Sequence, residues 1–139
     1  MKKILVFSIL LMLIGPVKAQ EKLPRHRVVF QMTSSTIEEQ KGLINNVNNL
    51  LNLWKEDVVI HVVIHGPGIS LVQSEKTTLQ SELYLLVEKG VVFQVCENTL
   101  KQKGIAKEAI IGKMQYVPSG IAEIIQKQEQ GWSYIKSNF

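Results

Sequence analysis

Hydrophobic and polar positions follow two different periods along this chain. Residues 27–32, 58–65, 91–96, 114–117 and 132–135 are short runs rich in β-branched and aromatic side chains, which predicts five strands. Residues 37–54 instead carry Leu43, Ile44, Val47, Leu50, Leu51 and Trp54 at steps of three and four, the spacing of one buried helical face. Asn45, Asn46, Asn48, Asn49 and Asn52 fill the other face. They are weak helix formers, so packing has to hold this helix. Thr36, three residues before Glu39, sets a capping box at its start. A second helix is expected from Ser74 or Glu75 to about Glu88, with Gly90 as its left-handed stop. A short helix follows over 98–102, with Asn98 or Thr99 as N-cap and Gly104 ending it. Residues 105–111 hold one more helical turn, and a last helix spans 121–130, with Pro118 at its entrance and Gly131 at its end.

Strand and helix alternate strictly, which predicts an α/β fold of three layers, α/β/α, flavodoxin- or Rossmann-like, around a mostly parallel five-stranded sheet. Residues 58–65 are apolar on both strand faces and belong in the middle of that sheet. No internal repeat or low-complexity segment interrupts the pattern.

The first residues change the charge arithmetic. Met1-Lys2-Lys3 is followed by an apolar run over 4–14, then Gly15-Pro16 and a small residue at Ala19. That is the order of a cleavable signal peptide, cut after Ala19; the run is too short to span a bilayer comfortably. An uncleaved anchor or a buried N-terminal strand is the alternative. The expected organisation is therefore a signal peptide over 1–19 and one domain over 20–139, periplasmic or secreted and free of the membrane after cleavage. Of the 16 basic residues, three (Lys2, Lys3, Lys18) lie in the signal, leaving 13 against 12 acidic ones. A mature net charge of +1 removes the electrostatic argument for nucleic acid.

One cysteine, Cys96, stands where the third strand gives way to a helix. Ligands of α/β sheets gather at the carboxyl ends of strands, and a helix start next to a thiol favours the thiolate. The competing reading is a small buried hydrophobe. A single cysteine forms no intramolecular disulfide, and no zinc spacing is present, so neither a metal nor a cofactor is expected. Two further turns should share that edge: His65-Gly66-Pro67-Gly68 and Val117-Pro118-Ser119-Gly120. Neither is a Walker loop or a dinucleotide fingerprint. His61 and His65 lie on one strand face; His61 reads as a core histidine, while His65, at the strand end, is a candidate to lower the Cys96 pKa or hold a tautomer. Glu97 beside the thiol opposes thiolate formation unless it points away. Trp132 and Tyr134 close a hydrophobic edge.

The His65-Gly-Pro-Gly turn, the Val-Val-Phe-Gln-Val-Cys96-Glu-Asn-Thr-Leu run and the Tyr-Val-Pro-Ser-Gly-Ile-Ala-Glu stretch resemble the DsrE/DsrF-like family over roughly 27–135. The resemblance implies an α/β/α fold, homo-oligomers (trimers or hexamers), and a persulfide-carrying cysteine, which by position is Cys96. His65, Asn98, Thr99, Pro118, Ser119 and Gly120 fall at family-like positions, and with Gly66 and Gly68 of the first turn they are the candidate binding residues. An exported chain departs from the cytoplasmic members and from their partner subunits. The leading expectation is a sulfur carrier, sulfurtransferase-like at most, exchanging with donor and acceptor proteins. Its competitors are a small-anion or small-molecule binding module in an oligomer without catalysis, and a structural oligomer-forming protein.

Overall fold

The computed structural model describes residues 24–137; the expected signal segment lies outside the described residues. Five strands form a single sheet: β1 (His26–Met32), β2 (Val58–Ile64), β3 (Val92–Cys96), β4 (Gln115–Val117) and β5 (Ser133–Lys136). Their order is β4-β3-β2-β1-β5, and every pairing is parallel. Four α-helices connect them: α1 (Ile37–Trp54), α2 (Gln80–Glu88), α3 (Glu97–Lys103) and α4 (Gly120–Glu129). Among the described residues no helix is long and apolar enough to cross a membrane.

The strand order explains the unequal layers. From β1 to β4 the chain steps across the sheet in one direction, so right-handed crossovers put α1 and α2 on one face. It then returns to pair β5 with the far side of β1, which puts α4 on the other. The first face holds the main core: Phe30, Met32, Ile60, Val62, Ile64, Phe93 and Val95 pack against Leu43, Val47, Leu83 and Leu86. The second face holds a smaller apolar cluster, Val29, Val63 and Ile124, with Trp132 against them. Cys96 is buried there too, and polar groups pair beside it. His61 Nδ1 donates to Gln94 Oε1 (3.2 Å), and the Gln94 amide donates to Glu123 on α4 (2.8 Å).

The local signals act largely as expected. The Thr36 hydroxyl accepts the Glu39 N–H at 3.4 Å, half of the capping box, a contact of about 1 kcal/mol. Gly104 ends α3 at φ +62°, a conformation that L side chains rarely adopt.

Three expectations shift. The second helix begins at Gln80, not at Ser74 or Glu75. Gln73 instead bridges Ile110, and Ser74 N–H donates to the Ala109 carbonyl (2.9 Å), so the segment is pinned against 109–111 and turns after Gln73 instead of opening the helix. The turn at 66–68 does not stop the chain; it opens a 3-10 helix over Gly66–Leu71. The third helix starts at Glu97, with Cys96 in the N-cap position, so Asn98 and Thr99 lie inside its first turn rather than capping it. Boundaries of the last two strands and the last helix move by a residue; Ser119 is the N-cap of α4, and Pro118 precedes it.

Candidate functional site

Cys96 is the last residue of β3 and points to the α4 face, since alternate residues Phe93 and Val95 point into the main core. Its residue is 5% exposed. Gly120, the first residue of α4, donates its N–H to the sulfur at 3.2 Å. That approach leaves little room for a side chain at 120. A Cβ at 120 would stand 3.2 Å from His65 Cβ, 3.2 Å from Val63 Cγ1 and 3.3 Å from Cys96 Cβ.

The three turns converge as their position at strand ends suggested. Gly66 N–H donates to the Thr99 hydroxyl oxygen (3.1 Å), tying the turn after β2 to α3. Asn98 N–H donates to the Pro118 carbonyl (3.2 Å), tying α3 to the entrance of α4. The Ser119 side chain caps α4 by accepting from Ala122 N–H (3.4 Å). Gly68 stands apart from the sulfur: it is buried against the end of β1, where a Cβ would lie 2.8 Å from the Met32 carbonyl carbon. Gly66 has open space where a side chain would be and φ +56°.

The environment of the sulfur favours the thiolate. Burial pushes the Cys96 pKa up, but hydrogen bonding from the Thr99 side chain and from the N–H groups of Gly120, Thr99 and Asn98 outweighs it and holds the thiol below its ordinary value. The sulfur occupies the place of a capping oxygen without closing a cap bond, so these amides act as loose donors around the closer Gly120 contact. Glu97, a neighbour in sequence, is paired with Lys107 and turned to the surface. Its charge is thereby drawn away from the sulfur.

Of the two roles offered for His65, the surroundings favour a neutral ring over a cation. Burial holds its pKa below the ordinary 6.5, so the ring is neutral near pH 7 and supplies no cation to the thiol. A side-chain relay fixes its tautomer. Tyr134 donates its hydroxyl to Gln31 Oε1, and the Gln31 amide nitrogen, a donor only, meets His65 Nε2 at 2.7 Å. Nε2 therefore accepts, and the proton sits on Nδ1. Gln31 and Tyr134 went unnoticed as contributors; the signal was their alternate-residue placement on strands that pair in the sheet. His61 is half-buried and satisfied, bonded to Gln94 and packed edge-on to Trp132. Burial first, then the Lys127 charge, lowers its pKa.

These two histidines make stability depend on pH. A group kept neutral in the fold but protonated when unfolded gives the unfolded state more protons below pH 6.5. Stability is expected to hold above that value and to fall on acidification to about pH 5. Urea midpoints measured across this window check it. A loss of the same size in a His61→Gln/His65→Gln double variant would assign the effect elsewhere.

Among the described residues, no three His, Cys, Asp or Glu side chains cluster as a metal site. The DsrE/DsrF-like family model matches residues 26–137. A solved structure of a protein of unknown function, MTH1491 from Methanobacterium thermoautotrophicum, superposes with TM-score 0.76 at 30% identity, over 80% of this chain and 98% of that one. A second, BT1422 from Bacteroides thetaiotaomicron, also of unknown function, shares the fold at TM-score 0.66 and 15% identity, over 84% and 99% of the two chains. No curated protein matches the chain.

Proposed function

The chain belongs to the DsrE/DsrF-like family, and from that premise we propose that Cys96 carries sulfane sulfur as a persulfide. The observation that carries the proposal is the sulfur's setting: an N–H from Gly120 at 3.2 Å and a thiol pKa held down in spite of burial. Loading is a displacement. The Cys96 thiolate attacks the sulfane sulfur of a donor persulfide or polysulfide, a new S–S bond forms, and the donor thiolate leaves. Release is the reverse: an acceptor thiolate takes the terminal sulfur, and Cys96 departs as thiolate. No net oxidant is consumed in either step. The donors that lower the Cys96 pKa serve both steps, since they stabilise the attacking thiolate and the leaving one.

Cys96 is 5% exposed, so loading requires the donor sulfur to reach a shielded atom. Ile121 and Ile125 of α4 are half exposed, and Gly120 places that helix against the sulfur. We assign this face to contact with donor and acceptor or with further copies of the chain.

Intact-mass measurement after incubation with polysulfide tests the reading. One or a few added sulfur atoms, removed by reductant and absent in Cys96→Ser, are expected. No addition to wild type, together with a thiol that alkylates only after unfolding, would reject the carrier and leave a structural cysteine.

A further inference from the structure

An open groove of about 450 Å³ lies at the carboxyl edge of the sheet, on the side away from the Cys96 sulfur. Ile69 at its floor belongs to the core under α1 and α2, whereas Cys96 packs toward α4. Its polar lining consists of Ser35, Ser70, Gln73, Lys76 and Lys103, with Gly66 beside them, and among the described residues no carboxylate lines it. We propose that this groove binds a small organic or inorganic polyanion, one bearing at least two phosphate or carboxylate groups.

Three features support this. First, the cations are free. Among the described residues Lys107, Lys113 and Lys127 each pair with a glutamate, while Lys76 and Lys103 have no carboxylate within 4.0 Å. Two unpaired cations facing one concavity match two anionic groups. Second, a buried side chain orients the lining. Gln40 is 5% exposed, and its amide donates both to the Ser34 carbonyl (3.2 Å) and to Ser70 Oγ (3.0 Å). With its oxygen already accepting, Ser70 keeps its proton to donate to a ligand oxygen. Third, the volume falls in the range of small-molecule sites, and strand carboxyl ends are where such sites collect in α/β sheets.

The groove is separate from the sulfur: neither Cys96 nor Gly120 is among its lining residues.

Amide NMR titration of the full chain at constant ionic strength tests the assignment, with pyrophosphate in one arm and citrate in the other. Saturable shifts centred on Ser35, Gly66, Ser70 and Gln73, with a submillimolar Kd, are expected in at least one arm; the tighter arm identifies the phosphate or the carboxylate class. A Lys76→Ala/Lys103→Ala variant, in which two exposed side chains with no ion-pair partner are removed, should bind at least about tenfold more weakly. Cys96→Ser should bind as wild type, which separates this site from the sulfur carrier. Shifts that never saturate, that centre elsewhere, or that persist unchanged in the double lysine variant would overturn the proposal.

Discussion

Replacing Gly68 by alanine is expected to destabilise the protein by roughly 3 kcal/mol, lowering its melting temperature by about 10 °C. The cause is contact, not backbone conformation. A Cβ at this position would stand 2.8 Å from the Met32 carbonyl carbon, closer still to its oxygen, and 3.0 Å from Thr33 Cα. All three are backbone atoms at the end of β1, and β1 is paired on both sides, so they do not rotate away as a side chain would. Relief requires the 3-10 turn to lift off the sheet, taking the buried Ile69 and Leu71 with it. Gly66, two residues earlier, provides the control. It has no neighbour within 4 Å of a built Cβ, and its φ of +56° makes alanine strained by about 1 kcal/mol. Thermal or denaturant unfolding of the two variants decides the matter. Equal losses would mean that the β1 end yields easily and that the close approach carries no energetic weight.

That contrast marks where the sequence stops being legible. His65-Gly66-Pro67-Gly68 reads as a turn with two permissive residues, yet only one of its glycines is there for its dihedral angle. The other is there for Met32, 36 residues away in sequence, and composition holds no trace of it. The five strands were legible as short β-branched runs, the long amphipathic helix from steps of three and four, and the parallel sheet from their strict alternation. The late start of α2 was not legible, because Gln73 and Ser74 are claimed by pairing with residues 109–111, a long-range contact that overrides a plausible cap. Around Cys96, convergence of three turns followed from all of them lying at strand carboxyl ends. The roles within the convergence did not follow. Thr99 looked like a helix cap and instead bridges Gly66 and the sulfur. His65 reads as a candidate either to lower the thiol pKa or to hold a tautomer; its ring is neutral, and its tautomer is set by Gln31 and Tyr134. Both depend on which atoms meet across strands, and register supplies that, not residue type.

The Thr99 bridge leads to the largest expected change in thiol chemistry. Thr99→Val keeps the shape of the side chain and removes the hydroxyl. The Gly66 N–H then loses its acceptor, at a cost of roughly 1–2 kcal/mol. Cys96 loses the strongest of the interactions that hold its pKa down, while burial, which acts in the opposite sense, stays. The thiolate fraction at neutral pH falls, and alkylation and sulfur loading are both expected to slow severalfold, with the rate–pH profile displaced to higher pH. Thr99→Ser, which restores the oxygen, should recover the wild-type profile. The same linkage predicts a stability effect of definite sign. A thiol whose pKa is depressed in the fold stabilises it in full only above the unfolded value near 9.0, and that contribution is lost as pH falls through the depressed one. The stability of wild type relative to Cys96→Ser should therefore grow as pH rises from about 7 to about 9, and grow less in the Thr99→Val background. A wild-type alkylation profile identical to that of Thr99→Val would show that the hydroxyl holds Gly66 alone and that the amides of Gly120, Asn98 and Thr99 suffice to set the thiol. The persulfide proposal would then rest on the backbone of the three turns instead of on a side chain.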